Sequence, residues 1–203
     1  MVDRIPFAAG HGVEGVSDLR RGARPERPAH VHCRRTPRRR RRESRDRRSG
    51  FSSGEASLDE WLVRFSDQSR RRDTAATWVV ADAEDVVTAF VSLSMFAVSR
   101  ARAADAFRRG APDPIPSLLI GRLAVDPCHG RLGLGTALVQ HALAAAVALN
   151  TLAACRAVVV TALNPRSVTW WQRFGFVPLD PDDDGAMDLY LLTKDIEATL
   201  RRL

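Results

Sequence analysis

From Phe51 onward the apolar positions switch between a helical and a strand period. Leu58, Trp61, Leu62 and Phe65 recur at helical spacing, which predicts a helix running to about Arg72. Ser57, with Glu60 three residues on, reads as a capping box at its start. Residues 77–82 and 86–98 are β-rich runs around the turn residues 82–85, a hairpin. Residues 100–116 form a polar excursion with a short helical piece and three prolines. Residues 117–125 are apolar on both alternating faces, as a central strand requires. An Ala/Leu-rich helix follows over 135–153, then a buried strand over 155–163. A short helix with proline in its first turn spans 165–174, and 188–193 closes the sheet. Helices alternating with strands after an antiparallel start give an α/β (α+β) fold, a mixed central sheet flanked by helices.

Residues 1–50 have no such period. Ten of the fifteen residues from Arg34 to Arg48 are arginine, a self-repelling block read as a disordered N-terminal segment before a domain at 51–203. Dividing the charge matters. The first 50 residues carry 15 Arg and 6 acidic side chains, +9, and the rest carry 16 cations and 18 acidic side chains, −2, summing to +7. The segment could grip RNA phosphates, but no aromatic interleaves its arginines to stack on bases. A solvated tail, or upstream sequence translated from a misplaced start, is the simpler expectation.

Three scattered cysteines, Cys33, Cys128 and Cys155, argue against a disulfide framework. The His30, His32, Cys33 group and the Cys128–His129 pair lack a second ligand pair at zinc spacing, so no metal is expected. No apolar run reaches the roughly 20 residues of a membrane span, and the N-terminus lacks an export signal. A cytoplasmic protein is expected.

The chemistry gathers at Asp126-Pro-Cys-His-Gly130-Arg-Leu-Gly133-Leu-Gly135-Thr136. Glycines at a strand-to-helix junction permit positive φ and close approach of a ligand. The helix that follows offers free N–H groups and partial positive charge to a pyrophosphate. A dinucleotide site is disfavoured, because no acidic residue ends a strand about 20 residues on. A turn needing glycine for folding alone stays open as an alternative.

Residues 118–139, LLIGRLAVDPCHGRLGLGTALV, together with 164–176, NPRSVTWWQRFGF, resemble the two sequence motifs of GNAT acetyltransferases, in the family's order. More narrowly, FSSGEASLDEWL, RRGAPDPIP and IGRLAVD resemble the branch holding the TacT-like toxins, over roughly residues 51–200. The resemblance implies a GNAT acyl-CoA N-acyltransferase fold and acetyl-CoA as co-substrate. It implies acetyl transfer to the α-amino group of aminoacyl-tRNA, with a DNA-binding antitoxin as partner, a homodimer as a further option and no membrane. Carried over residue by residue, Gly130, Arg131, Leu132, Gly133, Leu134, Gly135 and Thr136 face the pyrophosphate. Leu123, Ala124 and Val125 line the pantetheine, and Asn164 reaches its arm.

Four departures from the family pattern change what is expected. Gly130 stands for the usual Gln or Arg, and Arg131 for a usual Gly, where positive φ is wanted. Trp171 stands where the family has a tyrosine general acid, and an indole offers a donor N–H but no transferable proton. Trp170 replaces a neighbouring Phe as a core change. Trp171 therefore keeps two other readings open beside the tRNA-directed enzyme. One is a GNAT acting on a small amine or protein N-terminus, the other a catalytically degenerate CoA-binding GNAT. Arg70, Arg71, Arg72, Arg100, Arg102, Arg108 and Arg109 are the candidate basic patch for tRNA, or simply solvated side chains.

Overall fold

The computed structural model describes residues 38–41, 46–183 and 185–200. Its strands are β1 (Arg38–Arg41), β2 (Ala76–Ala81), β3 (Val87–Val98), β4 (Ile115–Val125), β5 (Ala157–Thr161), β6 (Val177–Pro178) and β7 (Asp188–Leu192). They form one seven-stranded sheet in the order β1-β2-β3-β4-β5-β7-β6. All neighbours are antiparallel except β4 and β5. The parallel step is the one that needs a helical crossover, and α4 (Leu134–Leu152) supplies it.

The strand β1 corrects the reading of residues 1–50 as disordered at these four arginines. It pairs along its length with β2, Arg38 opposite Ala81 and Arg41 opposite Trp78, and it supplies the edge strand for which the sequence showed no apolar run. Arg47 adds a parallel bridge to Val86. Residues 1–37 and 42–45 lie outside the described residues.

Two layers cover the sheet. On one face α4 buries Leu138, Val139, Ala142, Leu143 and Ala146, the i, i+1, i+4, i+5, i+8 stripe of an amphipathic helix. They meet Val80, Val91, Ile120, Val158 and Leu189, joined by Trp171 of α5 (Pro165–Gln172), by Phe174 just after it and by Ile196 of α6 (Ile196–Leu200). Each large aliphatic side chain buried there contributes about 1.5–3 kcal/mol before entropy is counted. By length and composition α4 would also suit a membrane span; here it is the core helix. On the opposite face α1 (Ala56–Glu60), a π-helical turn (Trp61–Phe65) and α2 (Ser66–Arg71) follow one another. They set Leu58, Trp61 and Leu62 on Phe51, Val79, Phe90 and Ala124. The short α3 (Asp105–Arg108) lies on that face too, with Phe107 stacked on Tyr190 at 4.7 Å.

The capping box expected at Ser57 and Glu60 does not form. The helix starts at Ala56 with Glu55 as N-cap, and Asp59 instead accepts from the Ser53 N–H and hydroxyl at 2.8 and 2.6 Å.

One polar side chain sits awkwardly under α4. His141 packs on Trp78 at 4.2 Å between ring centroids, and its Nε2 is buried without a hydrogen-bond partner. Burial, and secondarily the charge of Arg39, hold its pKa below the usual 6.5. Between that ordinary value and the lowered folded one, the unfolded chain binds a proton that the folded chain refuses, so stability falls as pH drops. The urea midpoint is expected to be lower at about pH 5.5 than at about pH 7.5, and His141→Phe to shrink the difference. An unchanged pH dependence in that variant would remove His141 from the account.

Candidate functional site

The site begins with a break in pairing. The β4–β5 ladder runs from Ser117 opposite Ala157 to Ile120 opposite Val160. Beyond it β4 continues through Val125 with partners on β3 only, Leu123 opposite Val91 and Val125 opposite Ala89. The β5-facing main-chain edge of 121–125 thus borders a wedge, open where the two strands part. A register shift on β3 between Ser92 and Leu93 makes Gly121 the extra residue of a bulge, the usual meaning of a glycine inside a strand. The bulge changes which side chains face where. Leu118 and Ile120 lie under α4, and after the bulge so do Leu123 and Val125. Ala124 joins the opposite core, and Arg122 stands over the Trp61 ring at 5.6 Å. Burial lowers the Arg122 pKa from its ordinary value.

The glycine loop closes the open end of the wedge. Asp126 caps the turn by accepting from the Cys128 N–H at 2.9 Å. Gly130 is extended, and a Cβ there would lie 3.0 Å from the Pro127 carbonyl oxygen. Arg131 takes φ 62° and Gly133 φ 74°, so the left-handed conformation expected at Arg131 is present on a residue with a Cβ, at a cost of about 1–2 kcal/mol. Strain of that kind persists where the surroundings enforce it. The first hydrogen bond of α4 joins the Ala137 N–H to the Gly133 carbonyl at 2.9 Å. The amides of Leu134, Gly135 and Thr136 therefore precede the helical ladder and are available at its positive end.

Across the wedge stands α5 (Pro165–Gln172), capped by Asn164, whose Oδ1 accepts from the Ser167 N–H at 2.9 Å and hydroxyl at 3.0 Å. Its carboxamide oxygen is thus engaged in holding the helix. The two tryptophans differ in depth, and both pack on the core. Trp171 is in the core at 5% exposure, edge-on to Trp170 and Phe176 at 4.8 and 5.2 Å. Trp170, expected as the core substitution, is only half-buried and is the one against the loop: its Cζ2 lies 3.3 Å from where a Gly135 Cβ would be. Gly135 is glycine because an indole fills the space beside it. Tyr190 faces α3 instead, and burial raises its pKa.

The structure brings Leu123, Val125, the loop, Asn164 and the tryptophans around one wedge. It does not gather the seven candidate arginines. Arg70, Arg71 and Arg72 end α2, which packs on β2. Those from Arg100 to Arg109 flank α3 on β7, where Arg102 lies 3.8 Å from Asp188 and Arg108 pairs with Asp105. Four strand intervals separate β2 from β7, about 19 Å, so these are two groups rather than one patch.

The sequence matches the model of the acetyltransferase (GNAT) family over residues 40–176. It is 32% identical over 154 residues to a tRNA-acetylating toxin of Mycobacterium tuberculosis, covering 75% of this chain and 89% of that one. Among solved structures, AtaT complexed with acetyl-methionyl-tRNAfMet matches with a TM-score of 0.73 at 23% identity, covering 80% of this chain and 98% of that one. A variant AtaT toxin bound to the C-terminus of the antitoxin AtaR and acetyl-CoA matches with a TM-score of 0.68 at 24% identity, covering 80% and 96%. Both structures share this fold.

Proposed function

The chain belongs to the GNAT family of acetyltransferases, and we propose that it moves the acetyl group of acetyl-CoA onto the α-amino group of aminoacyl-tRNA, as the toxin of a toxin–antitoxin pair. The observation that carries the acyl-CoA part is the wedge between β4 and β5 opening onto a glycine loop with unspent amides. The identity to a tRNA-acetylating toxin over most of both chains narrows the acceptor.

The residues fit such a co-substrate. Main-chain amides from Arg131 to Thr136, and the Arg131 guanidinium, suit a diphosphate. The exposed edge of Leu123, Ala124 and Val125 offers hydrogen bonds to the amides of a pantetheine arm, and Asn164 lies across from it. Acetyl-CoA, when bound, supplies the activated acetyl group. The chain contributes placement, which alone is worth up to about 7–11 kcal/mol of barrier when reacting atoms are well aligned. The amine nitrogen forms the new bond to the acetyl carbon as the carbon–sulfur bond breaks, sulfur keeping the electron pair. Trp171 donates a hydrogen bond at most, so water relays the proton, taking the one the amine nitrogen sheds and giving one to sulfur.

Trp171 also favours a second reading, a GNAT that binds acetyl-CoA with little or no turnover. Incubation with labelled acetyl-CoA and bulk charged tRNA, with free amino acids as control, separates the readings. Label retained on tRNA is expected. Label on free amino acids alone would shift the acceptor to a small amine, and binding without transfer would leave the degenerate reading standing. We place the activity in the cytoplasm, where charged tRNA is found. Expression is expected to arrest growth until a DNA-binding antitoxin encoded nearby is co-expressed.

A further inference from the structure

One arginine of β1 reaches the helix that follows the glycine loop. Arg39 and Arg41 are exposed on β1, and the two-residue period of a strand turns them to one side. Their register partners, Val80 and Trp78, both pack under α4, so that side is the one carrying α4. Arg39 reaches across to it, its Nη1 donating to the Ala137 carbonyl at 2.9 Å. The Ala137 N–H makes the first hydrogen bond of the helix, so the guanidinium on its carbonyl stands at the end of the first turn, set back from the loop. One N–H is spent on that carbonyl, and a guanidinium has five. Arg131 is a second exposed cation, in the loop itself.

Charge gives the position a purpose. Residues 51–203 carry 16 cations and 18 acidic side chains, net −2, an unfavourable background for a polyanion. Coenzyme A carries a diphosphate and, apart from it, a ribose 3′-phosphomonoester of about −1.5 to −2 at neutral pH. The loop amides and Arg131 answer the diphosphate. The monoester needs a cation that stands off from the loop, held in place and still carrying free donors. We propose that Arg39 binds the 3′-phosphate of coenzyme A, which makes the arginine strand part of the co-substrate site. The proposal rests on the acyl-CoA reading above. Anchoring on a helix carbonyl fixes the planar fork in advance, which favours a bidentate grip on phosphate oxygens.

Titration calorimetry of the full chain with acetyl-CoA and with 3′-dephospho-acetyl-CoA tests it. The parent is expected to bind the phosphorylated ligand about tenfold more tightly. Arg39→Gln keeps an amide able to donate to the Ala137 carbonyl but carries no charge. It is expected to lose that tenfold for acetyl-CoA and to bind the dephospho ligand as the parent does, while Arg39→Lys keeps part of the preference. Equal affinity of the parent for both ligands overturns the proposal. So does an equal loss on both in Arg39→Gln, since Arg39 would then only dock β1 on α4. If the folded parent binds neither ligand, the acyl-CoA reading falls, and this proposal with it.

Discussion

Gly135→Val is expected to lower kcat/KM for acetyl-CoA by at least about a hundredfold, with a matching loss of affinity by calorimetry. The added Cβ would lie 3.3 Å from the Trp170 Cζ2 and 3.6 Å from the Val125 Cγ2. Neither neighbour can yield cheaply. Trp170 is wedged edge-on between Trp171 and Phe174, at 4.8 and 4.7 Å, and Val125 ends the strand that borders the wedge. The first turn of α4 must therefore shift away from β4, carrying with it the amides that face the diphosphate. Overpacking of this kind also costs about 1–3 kcal/mol of stability, visible as a lower urea midpoint. Gly133→Ala provides the contrast. Nothing lies within 4 Å of its Cβ position, and only the positive φ opposes it, so its penalty is about 1–2 kcal/mol of backbone strain. Normal acetyl-CoA affinity in Gly135→Val would show that the loop does not hold the co-substrate.

Trp171→Tyr carries the second large effect, in the other direction. A phenol can surrender a proton where an indole cannot, and general acid catalysis typically contributes 10²–10⁴-fold. Turnover at saturating acetyl-CoA and charged tRNA is expected to rise by about a hundredfold, with affinity for acetyl-CoA unchanged. The smaller ring leaves part of a core site empty beside Phe174 and Phe176, so the melting temperature should fall at the same time. Faster chemistry in a less stable chain is the signature to look for. A variant no faster than the parent would mean that this side chain, at 5% exposure, is held in the core and out of reach of the reacting sulfur.

The parts of the fold written in buried side chains were legible in the sequence. Residues 117–125 and 155–163 announce themselves because both of their faces are covered, and the stripe on α4 shows because one face is. β1 was hidden for the opposite reason. An edge strand needs only main-chain pairing on one side, and the described side chains of Arg39 and Arg41 are exposed, so no apolar residue marks it. β6, two residues ending in Pro178, is too short for any period to register. The glycine loop was legible because a backbone requirement selects residue type directly, and the left-handed Arg131 followed from that requirement. That Trp171 is the deeper of the two indoles and Trp170 the one beside the loop was not. Which of two adjacent indoles turns toward the loop depends on the rotation of α5 about its axis, set by packing of Phe174 and Phe176 from beyond the helix.

The bulge at Gly121 lets a single strand furnish two differently tuned surfaces. Drawing Gly121 into the regular alternation of the ladder would transpose them, sending Arg122 into the hydrocarbon beneath α4 and turning Leu123 toward the Trp61 ring. Because the inserted residue sets this phase, substitutions at Arg122 can alter the packing on the π-helical turn while the opposite wall at Leu123 and Val125 keeps its shape.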